Sequence, residues 1–154
     1  MRLEIIAVDR IRAAWASEAV QEYLGRVARY CEVAHREVRP ARGDGPRAVE
    51  EEGARLIAAA GSKPGTRLVA LTPGGEALSS ESWAGMISAW QRDGVRRGVF
   101  LVGGAGGLSP AALAKVDREL SLGPQTLSHE LAQVVLAEQL YRAFTILRGE
   151  RYHK

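Results

Sequence analysis

The sequence has little of what marks several common classes of small protein. Its 154 residues include one cysteine, Cys31, which excludes an internal disulfide and a multi-cysteine zinc site. No run of about eighteen apolar residues occurs, so no transmembrane helix is predicted. The opening apolar run, Leu3–Val8, is short and interrupted by Glu4, unlike a secretory signal peptide. These absences favour a cytoplasmic protein without a metal site.

What is present is the composition of an ordinary globular domain. The chain is 46% hydrophobic and 25% charged, which at this length is enough to build a core. We therefore expect residues 1–154 to form a single domain. The net charge of +3 comes mainly from arginine, a residue suited to phosphate contacts. A charge this small does not by itself indicate a nucleic-acid partner.

Segments typical of strands and helices alternate along the whole chain. The predicted strands are Leu3–Val8, Glu32–Val38, Arg67–Thr72, Gly98–Val102 and Arg118–Leu122. The predicted helices are Ala14–Tyr30, Arg47–Ala60, Ser80–Arg92, Pro110–Val116 and Ser128–Leu147. Such alternation is typical of an α/β domain whose mostly parallel sheet is covered on both faces.

Three of the predicted strands run into turn-forming residues, at Thr72–Gly75, Gly103–Gly107 and Gly123–Gln125. Ligands of open parallel sheets bind beyond the carboxyl ends of the strands, so these segments would form one pocket if their strands are neighbours. For the glycines alone, the alternative is a tight strand-to-helix turn. They match neither the dinucleotide-binding pattern, because Ser109 takes the place of the third glycine, nor the P-loop.

The last predicted helix carries apolar residues on more than one face. One stripe and several positions outside it are apolar: Leu136, Leu140, Ala143, Phe144 and Leu147, then Leu131, Val134, Val135, Tyr141 and Ile146. One stripe is enough to dock a helix on a sheet, so the surplus predicts contact with a second copy of the chain. The alternative is a helix sandwiched within its own domain.

The two ends of this helix carry the polar residues of interest. Ser128 is a suitable N-cap and places His129 in the first turn, although a lone histidine is more often structural than catalytic. Glu138 and Arg142 have the spacing of a helical ion pair. Beyond the helix, the basic and aromatic tail could be a disordered terminus.

Four segments then follow an order found in one family. They are Leu101–Leu108, Leu120–His129, Val134–Phe144 and the terminal Tyr152–Lys154. Together they resemble the RlmH family, SPOUT-class methyltransferases that act on N3 of pseudouridine in 23S rRNA. The likeness covers essentially the whole chain and is more specific in the C-terminal half.

The resemblance implies a particular fold and cofactor. The fold would be a single SPOUT methyltransferase domain with a C-terminal trefoil knot, although knotted chains are rare among proteins in general. The domain would assemble as a homodimer with its sites near the subunit interface. The cofactor would be S-adenosylmethionine, whose adenine can be read by backbone N–H and C=O groups. Its contacts would be Leu71, Gly103, Leu122, Gly123, Pro124, Gln125, Thr126 and Leu127.

The resemblance also implies the reaction and the groups that serve it. Methyl transfer to N3 of pseudouridine in the ribosome requires an in-line approach and removal of the N3 proton. The polar groups available are His129, Arg142, Tyr152, His153 and Lys154, without a unique choice of base. A SPOUT enzyme acting on tRNA, or a non-catalytic ribosome-binding protein of this fold, are the alternatives.

The chain departs from common members of that family at three positions. Ser128 and Arg151 stand where proline is frequent, and Gln133 stands where arginine is frequent. Serine can still cap the helix, whereas glutamine lacks the positive charge that arginine would bring near the site. Arginine at 151 leaves the tail less stiff than proline would.

One basic segment is a candidate for contact with rRNA. It contains Arg36, Arg39, Arg42 and Arg47 around a stretch rich in proline and glycine. The alternative is an ordinary solvated loop.

Overall fold

The computed structural model describes all 154 residues and contains one five-stranded sheet. The strands are β1 Arg2–Val8, β2 Glu32–Val38, β3 Thr66–Ala77, β4 Arg97–Val102 and β5 Arg118–Ser121. The helices are α1 Ala14–Val27, α2 Pro46–Ala60, α3 Ser80–Arg92, α4 Pro110–Leu113 and α5 His129–Leu147. All strand pairs are parallel, in the order β2-β1-β4-β3-β5. The predicted parallel α/β fold is therefore confirmed.

The alternation of side chains along the strands divides the core into two layers. Leu3, Ile5 and Ala7 of β1 face the larger layer, together with residues of α1, α3 and α5. Ile6 and Val8 face the smaller layer, against α2. Because successive strand residues point to opposite faces and both faces are covered, residues Ile5–Val8 of β1 are all apolar instead of alternating with polar ones.

Helix α5 lies between α1 and α3 and contacts both. Its buried residues include Leu136, Leu140, Tyr141 and Phe144. Packing within the domain therefore accounts for much of the apolar surplus of this helix.

The structure corrects several predicted boundaries. Strand β3 continues to Ala77, because Glu76 and Ala77 resume pairing with β5 after the segment between Leu71 and Glu76 bulges out of the ladder. The turn expected after β3 therefore lies within the strand. A Cβ atom at Gly75 would lie 2.6 Å from the backbone of Leu120, so only glycine fits there.

Three other elements end earlier than predicted. Helix α1 ends at Val27 instead of Tyr30, α4 at Leu113 instead of Val116, and β5 at Ser121. After α1, the backbone N–H of Tyr30 bonds to the carbonyl of Val27, three residues back, so the helix tightens into a turn.

The sheet contains one buried charge, Glu4 of β1, which is 1% exposed. Its carboxylate accepts hydrogen bonds from Arg36 of β2 and from Nε of Arg97 of β4 at 2.8 Å. These arginines also donate to the carbonyls of Ala59 and Ala60 at the end of α2. Burial opposes ionisation, but the two arginines outweigh it and lower the pKa of Glu4. Arg36 thus ties α2 to the sheet and is not free for rRNA contact.

No helix in the structure is long and apolar enough to cross a bilayer.

Candidate active site

A cavity of about 440 Å³ opens at the carboxyl ends of β4, β3 and β5. These strands are consecutive neighbours in the sheet, so the predicted condition for one shared pocket is met. The volume is in the usual range of small-molecule sites. The lining residues are Leu71, Thr72, Pro73, Val102, Gly103, Gly104, Ala105, Gly107, Ser121, Leu122, Gly123, Gln125, Thr126, Leu127, Ser128, His129 and Ala132.

Only one side chain that lines the cavity can ionise, that of His129. No lysine, arginine or carboxylate lines the wall, which otherwise consists of backbone and of small, apolar or neutral polar residues. The hydroxyl of Ser121 is already used, since it donates to the carbonyl of Gly123 at 2.9 Å. Such a wall suits a flat heterocycle read by backbone groups and does not suit a phosphate.

The glycine segment 103–107 is a tight turn that leaves no room for a side chain at Gly103 or Gly106. The N–H of Gly107 donates to the carbonyl of Gly104 at 3.0 Å. A Cβ atom at Gly103 would lie 2.5 Å from the carbonyl oxygen of Gly107, and one at Gly106 would lie 2.5 Å from Val49 of α2. The turn is thus confined between the cavity and α2, which explains why its glycines are needed.

His129 is held at the cavity by the first turn of α5. The hydroxyl of Ser128 accepts from the N–H of Leu131 at 3.2 Å, so the predicted N-cap is confirmed. The carboxylate of Glu130 accepts from the N–H groups of Arg12 and Ala13, at 2.5 and 3.3 Å. These bonds join the start of α5 to the start of α1 and limit the motion of His129.

A second polar cluster lies further along α5, around Glu138 in the middle of the helix. Its Oε1 accepts from Nη2 of Arg142 at 2.6 Å and from the hydroxyl of Tyr152 at 3.0 Å. The guanidinium carbon of Arg142 lies 4.7 Å from the centre of the Tyr152 ring. The Nε2 atom of His153 lies 2.9 Å from Oε1 of Glu81 on α3, and its Nδ1 lies 3.4 Å from Nη1 of Arg142. The tail therefore packs on α5 and α3 as far as His153.

The environment of Tyr152 determines what its hydroxyl can do. Burial, together with hydrogen bonds to Tyr23 and Glu138, raises the pKa of Tyr152. Near neutral pH the side chain is therefore a phenol that donates to Glu138, which suits stacking or hydrogen bonding and does not suit proton abstraction.

The two sites are separate within one chain. Arg142 lies thirteen positions beyond His129 on α5, about 20 Å along the helix at roughly 1.5 Å per residue. The structure brings His129 together with the residues expected to bind the cofactor, except Pro124, which does not line the cavity. It groups Arg142, Tyr152 and His153 elsewhere, and Lys154 is exposed.

Comparison with known proteins identifies the family of this chain. A family model described as "Predicted SPOUT methyltransferase" matches residues 1–153. The chain belongs to the SPOUT methyltransferase family. It is also similar to three proteins named "Ribosomal RNA large subunit methyltransferase H". That of Anaeromyxobacter dehalogenans (strain 2CP-C) is 42% identical over 156 residues. Those of Desulfotalea psychrophila and Gemmatimonas aurantiaca are 39% identical over 159 residues and 41% over 157 residues. In each case the match covers all of both chains.

The structure of this SPOUT methyltransferase explains one of its unusual residues, Gln133. Gln133 is fully buried; its Nε2 donates to the carbonyl of His129 at 3.1 Å, and its Oε1 lies 2.7 Å from Nε2 of His35. The position is therefore interior, next to the site but not on the surface of the protomer. Arg151 is exposed and makes no side-chain contact that would explain it.

Sequence reasoning missed several residues of both sites. Thr72, Pro73 and Ser121 line the cavity, and the turn 72–75 was the only sequence signal for the first two. Glu138 was recognised only as a partner of Arg142, yet it also holds Tyr152. Glu81, which holds His153, carried no signal, because its role depends on α3 packing beside α5.

Proposed function

We propose that this SPOUT methyltransferase transfers a methyl group from S-adenosylmethionine to N3 of a pseudouridine in 23S rRNA of the ribosome. The observation that carries the proposal is the cavity at β4, β3 and β5, whose lining includes seven of the eight expected cofactor residues and His129. Support for the substrate comes from the full-length similarity to proteins named for methylation of large-subunit rRNA. On this proposal residues 1–154 are a single SPOUT domain.

The cavity fits S-adenosylmethionine better than it fits a nucleotide. A sulfonium group is a cation, and the wall contains no lysine or arginine to repel it. An adenine ring can be bound by backbone groups of the segment from Leu122 to Leu127, where Gly123 has a φ of +136° that favours glycine. When bound, the cofactor supplies a methyl group on sulfur for in-line displacement.

The functional unit that we propose is a homodimer. Trp15 of α1 is 57% exposed and Leu131 of α5 is 36% exposed. The bonds from Glu130 to Arg12 and Ala13 bring the first turns of these two helices together. The two side chains therefore begin an apolar surface that continues one turn later at the partly exposed Val135, as expected of a subunit contact.

A two-fold contact through this surface would join the two polar clusters. Leu131, Val135, Glu138 and Arg142 lie on one stripe of α5, because they are spaced by three or four residues. Packing two copies of this stripe antiparallel places the tail end of one helix near the His129 end of the other. Each active site would then combine the cofactor cavity of one chain with Arg142, Tyr152, His153 and Lys154 of its partner.

In this arrangement the residues have distinct roles. Tyr152 stacks on the target base, and Arg142 and Lys154 meet its uracil oxygens or its phosphate. The N3 proton passes to an imidazole, that of His129 or of His153, because Tyr152 is held in its protonated form. S-adenosylmethionine, which Gly103 and the segment from Leu122 to Leu127 would hold, would supply the methyl group that N3 takes up once this proton has left.

We further propose that the chain forms the C-terminal trefoil knot of this family. In support, the segment that follows β5 lines the same cavity as the glycine turn after β4, and α5 then runs between α1 and α3. A knot of this kind would hold the cofactor loops around the last helix.

The test is methylation of ribosomes from cells that lack this protein. Incubation with the purified protein and S-adenosylmethionine, followed by mass-spectrometric mapping of the RNA, should show one new methyl group on a 23S rRNA pseudouridine. Total tRNA from the same cells is the parallel substrate. Methylation of tRNA alone would favour another SPOUT activity, and binding to ribosomes without any transfer would favour a non-catalytic role.

A further inference from the structure

We propose that four arginines at the edge of the cofactor cavity bind backbone phosphates of the substrate RNA. They are Arg10, in the β1–α1 loop, and Arg39, Arg42 and Arg47, in and after the β2–α2 loop; we call them the arginine rim. This inference rests on the proposed function, since it concerns how that substrate is held. The arginine rim differs from the basic segment expected from the sequence. That segment included Arg36, whose side chain is instead paired with Glu4.

The backbone that carries the rim is held in place by α2. Nη1 of Arg55 donates to the carbonyls of Arg39 and Pro40, at 2.7 and 2.8 Å. The carboxylate of Glu52 accepts from the N–H of Ala41 at 3.0 Å. On the other side, the N–H of Asp9 donates to the carbonyl of Val38 at 2.9 Å, which joins the loop that carries Arg10 to the start of the loop that carries Arg39. The rim is thus a shaped surface rather than a loose loop.

The rim guanidinium groups, unlike those of their neighbours, are free. All four residues are exposed, and none of their side chains forms a hydrogen bond or an ion pair. By contrast, Arg12 pairs with Asp9, and Arg55 pairs with Glu51. Within 39–47 the three arginines face a single acidic residue, Asp44. Exposed arginines without protein partners, on a backbone fixed by others, suit bidentate contacts with phosphate.

The rim also lies where a substrate backbone must pass. A Cβ atom at Gly106 would lie 2.5 Å from the side chain of Val49, and one at Gly104 would lie 3.0 Å from that of Glu52. Val49 and Glu52 are in the first two turns of α2. The loop before α2 therefore borders the glycine turn of the cavity. An RNA strand that presents an unpaired base to this cavity would carry its phosphates across the rim, where they fix position without reading sequence.

The test compares two variants that each lose three positive charges. The first is Arg39→Ala/Arg42→Ala/Arg47→Ala. The matched control is Lys63→Ala/Arg92→Ala/Arg96→Ala, near the amino ends of β3 and β4, where these side chains are also exposed and unpaired. A third variant, Arg39→Lys/Arg42→Lys/Arg47→Lys, keeps the charge.

Binding to unmethylated ribosomes is measured by sedimentation over a range of salt concentrations, alongside methyl transfer and S-adenosylmethionine affinity. The rim variant should bind ribosomes at least tenfold more weakly, with the slope of log affinity against log salt reduced by about three, roughly one per lost contact. Its affinity for the cofactor should match that of the wild type. The control variant should have nearly the wild-type salt slope, and the lysine variant should keep most of the wild-type slope.

The outcomes separate this inference from the proposed function. If the wild-type protein methylates ribosomes and the rim variant binds them with an unchanged salt slope, the rim does not contact phosphates. An equal loss in the control would show a non-specific effect of net charge and would overturn the inference too. If the wild type binds but transfers no methyl group, the proposed function fails, while the salt slopes still decide the role of the rim.

Discussion

At the scale of single residues, two carboxylates organise the polar parts of the molecule. Glu4 joins two strands and the end of α2 through Arg36 and Arg97. Glu138 joins Arg142 to Tyr152 and so holds the tail against α5. The carboxylate of Glu4 stabilises the fold, and that of Glu138 fixes the position of the tail.

The substitution Glu4→Gln should lower the free energy of unfolding at pH 7 by about 3 kcal/mol, because it leaves the largely buried Arg97 without its counter-charge. Since the arginines lower the pKa of Glu4 below its ordinary 4.5, the carboxylate stabilises the fold above that pH. This stabilisation is lost as pH falls through the lower folded-state pKa. Urea unfolding from pH 7 to pH 3 should therefore show the two proteins converging.

The control is Glu22→Gln, which removes an exposed helical pair with Arg26 and should cost less than about 0.5 kcal/mol. A difference between wild type and Glu4→Gln that stays constant across this pH range would contradict the assignment.

At the scale of elements, the glycine turn 103–107 shapes the cavity while α2 limits it from behind. The turn takes its form from backbone contacts. A side chain added inside it should therefore change the shape of the cavity and leave the packing of the distant core unchanged. By comparison, the bulge in β3 brings Thr72 and Pro73 to the same cavity through an irregularity that only the pairing with β5 reveals.

The substitution Gly103→Val should weaken S-adenosylmethionine binding at least tenfold while folding is retained. Its Cβ atom would lie 2.5 Å from the carbonyl oxygen of Gly107, so the turn must open and distort the cavity wall. Calorimetry gives the affinity and circular dichroism checks the fold. The control, Gly85→Ala in α3, adds a methyl group with nothing within 4 Å. Wild-type affinity in the Gly103 variant would place the cofactor elsewhere.

At the scale of the whole molecule, the separation of the two polar clusters is the main reason to expect a dimer. One chain presents a cavity with His129 and, about 20 Å away along α5, an ordered tail that does not line this cavity. The proposed subunit contact through the apolar stripe between them would bring the two clusters together.

The substitution Val135→Glu should convert the dimer to monomers and abolish methyl transfer, because it places a charge in the middle of the proposed contact. Sedimentation velocity at micromolar concentration measures the assembly. The control Ala58→Glu adds the same charge at an exposed position of α2, on the other face of the sheet, and should remain a dimer. A fully active Val135→Glu monomer would overturn the proposed assembly.

Mixing two inactive proteins tests whether a site uses both chains. One lacks Tyr152–Lys154 and keeps its cavity, whereas the other carries Gly103→Val and keeps its tail. If the tail serves the partner's cavity, each mixed dimer has one intact site, and random pairing should restore about a quarter of wild-type activity. If the tail serves its own cavity, no mixed dimer has an intact site, and the mixture should stay inactive in the methylation assay.

Much of the fold follows from local patterns in the sequence. The bounds of β2 and α3 agree with the prediction, because Glu32–Val38 and Ser80–Arg92 are delimited by turn and capping residues. Ser128 signalled the start of α5 in the same way. The three strand ends indicated a cavity before their adjacency was known, because ligand sites recur at that edge of parallel sheets.

Only the tertiary structure decided which residues act together. The sequence by itself determined the parallel α/β fold, the turn segments at the strand ends and the position of His129 at the start of α5, since these depend on periodicity, caps and turns within short segments. The strand order, the bulge of β3, the burial of Gln133 and the capture of Arg36 by Glu4 depend on contacts between segments far apart in the chain. So does the division between bound and free arginines, because a side chain's partners are set by packing and not by its neighbours in sequence.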